Sequence, residues 1–306
     1  MLGAEIMWGL MSPVSKFVLA GVVSPLLMTD FRMIGAAFLF WIASAFTKKE
    51  HVNHKDMLQL FFASLLSILF NQGSFMFGLS LTSPINASII TTSSPVLTMI
   101  IAAFYLREPV TGKKLIGVFL GATGAMLLIL SGQRNYTHLG NIWGDLFCFM
   151  AQLSFSLYLV LYKSLITRYS PVTLMKWMFT YASVCIIPFS YDEIVEMKWE
   201  LLTPLMMMGI IFTVCCATFL SYLLVPIGQR CLRPTVTSMY NYIQPIVASV
   251  VAVCWGMDSF NVLKILAVIL IFSGVYFVTR SRSRKDMEAY RGRCDDLKKE
   301  VPHKES

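Results

Sequence analysis

Long apolar runs alternate along the chain with short clusters of charge, Pro and Gly. Leu58 to Phe70, Leu115 to Leu130 and Val247 to Trp255 contain no Asp, Glu, Lys or Arg. Each lies within a stretch close to the ~20 residues that cross a bilayer. Backbone polar groups in lipid must be satisfied inside their own segment, so these runs are expected to be helices. Punctuation by Pro, Gly and charge divides the chain into ten apolar segments, at roughly 1–20, 25–46, 57–80, 84–106, 113–131, 142–165, 171–190, 203–225, 234–255 and 261–280. The connections are short, so consecutive helices should be antiparallel neighbours. The expected fold class is all-α, a polytopic membrane protein of ten transmembrane helices.

Composition supports this reading. The 306 residues are 56% hydrophobic and 14% charged, with mean hydropathy +0.66, whereas a soluble domain carries about 25% charged residues. The net charge of +8 does not point to nucleic acid, because the Lys and Arg side chains sit between apolar segments and in the tail, not on one exposed face. They do predict orientation, since short cytoplasmic loops hold the excess of basic residues. One side has Lys48, Lys49, Lys55, Arg107, Lys113, Lys114, Lys163, Arg168, Arg230, Arg233 and the tail. The other has Arg134, Lys198 and Lys264, and its longest loop carries Asp192, Glu193, Glu196 and Glu200. Both termini are therefore expected to be cytoplasmic, in a plasma or inner membrane. The first segment carries Glu5 and Lys16 and has no basic n-region, unlike a cleavable signal peptide.

An internal repeat organises the segments. Residues 81–96 align with residues 231–246 at an offset of 150, which matches Gly78 with Gly228, Pro84 with Pro234, Ser88 with Ser238, Pro95 with Pro245, Glu108 with Asp258, Lys114 with Lys264 and Gly124 with Gly274. Nearer the N-terminus the offset shortens, pairing Ala4-Glu5 with Ala151-Gln152, Lys16 with Lys163 and Ser24-Pro25 with Ser170-Pro171. The expected units are a first five-helix repeat at 1–131, a second at 141–280 and a cytoplasmic basic tail at 281–306. An odd number of helices per half inserts the second half upside down relative to the first, the inverted-repeat plan of many secondary transporters.

With Trp8-Gly9 in the first helix, Pro95 in the fourth and Glu108 at its end, and with Gly144-Asp145, Pro245 and Asp258 in the second half, the chain resembles the EamA-type branch of the drug/metabolite transporter superfamily over about residues 1–280. The resemblance implies that helices one to four of each half surround a central cavity, with the fifth helices at the periphery. Asp145 has no partner in the first half, because its equivalent would precede Met1; a start upstream of Met1 is one explanation.

Polar residues deep in apolar helices are the best pointers to a solute pathway, because a buried polar group costs energy unless paired or wetted. Ala87, Thr91, Ser94 and Thr98 share one face of the fourth helix, and Thr237, Asn241, Gln244 and Ala248 share the matching face of the ninth. Asn241 and Gln244 are read as cavity lining; for Thr91, Ser94 and Thr98, close helix packing is an equal alternative. Asn71 and Gln72 match Ser221 and Tyr222. Candidate pathway residues are thus Glu5, Trp8, Asn71, Gln72, Thr91, Ser94, Gln152, Tyr222, Asn241 and Gln244. Rings at Trp8, Phe75, Tyr158, Tyr162, Tyr181 and Tyr240 are either cavity walls or lipid contacts. Pro95 and Pro245, inside helices, are hinges or static bends. Gly117 and Gly121 are expected to seat another helix of the same chain, which favours a monomer over a dimer. The seven cysteines form no Cys-x-x-Cys pair and read as buried thiols.

Glu5 is the boldest candidate. A charge within a membrane helix costs roughly 2.5 to 3.5 kcal/mol on insertion scales, and Ala4-Glu5-Ile6 resembles the first helix of the small multidrug-resistance transporters of the same superfamily. That resemblance implies a glutamate exchanging protons for solute; a structural polar contact and a wet interfacial position are the alternatives. Neither a phosphate-binding Gly-x-x-x-x-Gly-Lys-Ser/Thr loop nor a convincing catalytic cluster is present. His51 and His54 would need further ligands to hold a metal, and Asn135-Tyr136-Thr137 is a formal glycosylation sequon. The expected function is a secondary transporter, an exporter by resemblance, of small organic metabolites or drugs, without enzyme activity, metal or cofactor. Its partners would be a small-molecule solute, protons and the lipid bilayer. A non-transporting membrane sensor or scaffold, and a membrane-embedded lipid enzyme, are the rival readings.

Overall fold

Helix starts follow the repeat. Ser24 and Ser170, each followed by Pro, cap their helices in the same way, with Ser24 Oγ accepting from the Leu27 amide and Ser170 Oγ from the Thr173 amide. The computed structural model describes residues 1–19, 23–82, 87, 90–131, 142–197, 199–254 and 262–281. Pro84, Ser88, the sequon at 135–137, Arg134, Lys198, Asp258, Cys294 and the tail beyond Ser281 lie outside the described residues, as do the side chains of Lys16, Ala248 and Lys264.

In chain order the helices are α1 (Leu2–Leu19), α2 (Pro25–Ala45), α3 (His54–Leu81), α4 (Ser94–Tyr105), α5 (Gly112–Ser131), α6 (Ile142–Leu161), a short α7 (Lys163–Arg168), α8 (Pro171–Glu196), α9 (Pro204–Cys231), a short α10 (Pro234–Met239), α11 (Ile243–Cys254) and α12 (Val262–Thr279). No strand occurs among the described residues. By length and composition, α2, α3, α6, α8 and α9 can each cross a bilayer; that criterion leaves the tally of ten spans as an expectation. Large apolar side chains such as Phe104, Phe119, Ile142 and Ile269 are exposed, as suits a surface facing lipid. The protein is an all-α polytopic membrane protein.

Packing pairs equivalent elements. The fifth helices, α5 and α12, lie against each other, as do the second helices, α2 and α8. The first helix of each half leans on the fourth of the other, α1 on α11 and α6 on α4. Near their middles, α3 and α9 each widen into a π turn, at Leu65–Phe70 and Cys215–Leu220, 150 positions apart. A π turn interrupts the regular ladder and turns backbone carbonyls towards neighbours. Here the matched carbonyls of Ser67 and Ala217 are claimed from across the molecule: the Tyr222 hydroxyl donates to Ser67 O at 3.2 Å, and Trp8 Nε1 donates to Ala217 O at 2.9 Å.

Several expectations change. Asp192, Glu193 and Glu196 belong to α8, which runs on past its expected end, so they are not loop residues. Pro95 sits in the first turn of α4, just after a turn at Thr92-Ser93, and Pro245 follows a 3-10 turn at Tyr240–Tyr242. The breaks therefore precede the prolines, where the lost amide bond costs least. Of the six described cysteines only Cys148 is buried, while Cys231 and Cys254 are exposed; a thiol tolerates a lipid-facing position as readily as a packed one.

Small residues bring α5 and α12 into backbone contact. A Cβ at Gly274 would lie 2.5 Å from Gly117 O and 2.6 Å from Gly121 N, and Gly121 faces the Tyr242 ring as well. Gly117 and Gly121 thus serve packing within the chain. Gly274→Ala is expected to destabilise the protein by about 1 to 3 kcal/mol through overpacking. Gly73→Ala, where a Cβ meets nothing within 4 Å, is expected to be neutral or stabilising by about 0.5 to 1 kcal/mol. Thermal unfolding of the detergent-solubilised protein checks both signs.

Candidate functional site

Glu5 lies one turn into α1 and is fully buried. Its Oε2 accepts a 2.7 Å hydrogen bond from Gln244 Nε2 at the start of α11, and its Oε1 has no partner among the described residues. The first helix of one half is thereby joined to the fourth helix of the other at the level of two candidate residues. A wet interfacial position for Glu5 is not what the structure shows.

Beside this contact lies a cavity of about 530 Å³, counted with its open mouth. Gln244, Trp8, Asn71, Gln72, Thr91, Gln152, Tyr222 and Asn241 line it, so eight of the ten candidate pathway residues meet in one place. They enter from α1, α3, the turn before α4, α6, α9 and the α10–α11 region, the elements around which the two halves interlock. Gln72 is 2% exposed, with its amide beside the Tyr222 hydroxyl but no hydrogen bond of good geometry on either polar atom, whereas Asn71 Nδ2 donates to Ala151 O at 2.9 Å. Adjacent amides, about 100° apart on a helix, divide here: Asn71 is tied to the neighbouring helix and Gln72 lies beside Tyr222 at the cavity.

The remaining lining is largely aromatic. Trp8 meets Phe155 edge-on at 6.0 Å and Tyr222 at 5.6 Å between ring centroids, and Phe75 completes the wall. In the N-terminal register of the repeat, which pairs Glu5 with Gln152, Phe155 is the equivalent of Trp8. Tyr162, Tyr181 and Tyr240 do not line the cavity, and Tyr158 is packed behind it against Phe155.

Ser94 is placed differently. It faces Ser156 on α6 at 3.5 Å, and Thr98 donates to the same Ser156 hydroxyl at 3.0 Å. Both serve the α4–α6 contact, the packing alternative for this stripe. Asp145 likewise accepts from Thr82 Oγ1 at 2.5 Å, beside the close approach of Gly78 and Gly144, and is a structural contact. No group of three or more His, Cys, Asp or Glu that could hold a metal occurs among the described residues.

Arg32 escaped the sequence reading. It lies within α2, is 2% exposed and lines the cavity. Its neighbour Asp30 is also buried, against a second, apolar cavity between α2, α8 and α9. Two ionisable residues in one 21-residue apolar helix are a signal for function in their own right. Matching of the two halves does not single them out, because in the Ser24–Ser170 register their equivalents are Lys176 and Met178, which repeat neither the carboxylate nor the guanidinium.

Comparison with known proteins matches this architecture. An uncharacterized transporter of Bacillus subtilis (strain 168), YyaM, is 24% identical over 90% of both chains. A WAT1-related protein of Arabidopsis thaliana is 20% identical over 92% of this chain and 83% of its own. A solved crystal structure superposes with a TM-score of 0.73 at 14% identity, covering 91% of this chain and 96% of that one, which shows the shared fold. The model of the EamA-like transporter family matches residues 1–130 and again 142–280. The protein is a membrane protein of transporter type, and the chain belongs to the EamA-like transporter family.

Proposed function

We propose that the protein is a secondary exporter of small organic solutes, working by alternating access about the cavity between two inverted halves. The observation that carries this reading is the Glu5–Gln244 contact beside a lining drawn from matched positions of both halves. A solute bound there touches elements of each half, so that its binding energy can differ between two arrangements of them, as a ligand-driven shift requires. The units are residues 1–131 and 141–280, with the termini and the basic tail from 281 on the cytoplasmic side. The breaks before Pro95 and Pro245 supply the bending points. Direction rests on family resemblance.

Glu5 is the proton-exchanging group in this reading. Its carboxyl has one oxygen held by Gln244 and the other without a partner, so it can take up a proton without breaking the existing bond. Gln152, its equivalent, cannot ionise, and coupling runs through one half.

Flux in proteoliposomes, screened first with amino acids and organic cations, tests the proposal. Glu5→Gln is expected to abolish solute-driven proton movement; unchanged rate and pH dependence would remove Glu5 from the mechanism. Asn241→Leu, which keeps the branched shape and deletes both polar atoms, is expected to raise the KM for solute roughly 5- to 30-fold, the equivalent of about 1 to 2 kcal/mol of lost hydrogen bonding. A KM within twofold of the parent would show that Asn241 does not touch the solute.

A further inference from the structure

Arg32 places a permanent positive charge on the wall of a largely uncharged cavity. Its Nε donates to Thr218 Oγ1 at 3.0 Å, and Thr218 Oγ1 in turn donates to Thr213 O at 2.8 Å, in the helix just before the second π turn. Thr218 is fully buried, so the guanidinium is held by its inner nitrogen in one orientation. No carboxylate lies within salt-bridge distance of it among the described residues, where the ion pairs are Glu108 with Lys114 and Asp56 with Arg168. Glu5, the other buried charge of the site, is engaged by Gln244. A buried cation without a counter-ion is costly, and a guanidinium whose Nε is taken keeps its two terminal nitrogens as an end-on fork suited to a carboxylate.

A second observation points the same way. Gln72 lines the same cavity with its amide beside the Tyr222 hydroxyl and no hydrogen bond of good geometry on either polar atom, which leaves an amide N–H for a solute oxygen. The aromatic faces of Trp8, Phe75, Phe155 and Tyr222 offer room for an apolar body beside these polar groups. We propose that the solute carried through this cavity is an organic carboxylate with an apolar or aromatic body, its carboxylate seated on the Arg32 fork and assisted by Gln72, and that Arg32 is the residue selecting anions over cations. This inference names the substrate class for the pathway proposed above and rests on it for transport, but not for binding.

The test uses the full-length protein and three probes with the same kind of aromatic body: hippurate, an anion; hippuramide, its neutral amide; and benzylamine, a cation. Equilibrium binding to detergent-solubilised protein is expected to rank hippurate above hippuramide by on the order of tenfold or more, since a charge-assisted fork is lost in the amide. Arg32→Gln is expected to bring that ratio close to one. Arg32→Lys, which keeps the charge without the fork, should fall between. Thr218→Val, which removes the Nε acceptor together with the hydroxyl's own bond to Thr213 O and leaves Arg32 in place, guards against misfolding of the Arg32 variants and is expected to weaken hippurate binding several-fold and leave hippuramide unchanged. Equal binding of hippurate and hippuramide by the parent protein, or a preference for benzylamine that Arg32→Gln leaves intact, would overturn the proposal. Flux separates the two readings: benzylamine carried in preference to hippurate refutes the anion site while transport stands, and hippurate bound without crossing the vesicle upholds the site while the transport reading falls.

Discussion

A backbone carbonyl turned out of its helix inside a membrane has no water to meet it, and the structure is arranged around two such places. The π turns of α3 and α9 each present a carbonyl, at Ser67 and Ala217, that finds its donor on another helix. Those donors, Tyr222 and Trp8, are also cavity walls, in ring contact with each other at 5.6 Å. The need to satisfy the backbone therefore fixes the aromatic pair, and the aromatic pair shapes the cavity. The widened turns and the polar centre thus share the same two side chains.

On this near-symmetric frame the chemistry is one-sided. Trp8 and Phe155, Gln72 and Tyr222, and Thr91 and Asn241 occupy equivalent positions with different side chains. Glu5 is answered by Gln152, and Arg32 by a methionine. Both ionisable groups of the site thus come from the first half. The second half contributes the amide that holds Glu5 and the hydroxyl that orients Arg32. Duplication supplies a cavity lined by both halves, while divergence of single positions supplies its charge, without disturbing the packing of α5 on α12 or α2 on α8.

Much of this was legible in the sequence, for reasons that can be named. Lipid allows few folds, so apolar length and the spacing of charge led to an all-α membrane protein; the repeat pointed to Asn241 and Gln244, and a charge within an apolar helix to Glu5, whose carboxylate Gln244 then meets. Ser94 and Gln244 occupy matched positions, yet Ser94 turns to Ser156 on α6 while Gln244 reaches Glu5; a short hydroxyl satisfies itself on the nearest helix, and a long amide spans the gap. The π turns have no sequence mark, since Leu65–Phe70 reads as unbroken apolar helix. Arg32 was missed although its charge in an apolar helix was plain, because symmetry was the guide and Arg32 breaks it.

Alternating access makes one demand that no static cavity meets: the same position must face both sides of the membrane in turn. With the native cysteines replaced, a single cysteine at Asn241 can be probed with a membrane-impermeant thiol reagent applied to inside-out and to right-side-out vesicles. The account predicts modification from both sides, with solute shifting the ratio of the two rates. Modification from one side only, unaffected by any transported solute, would contradict it.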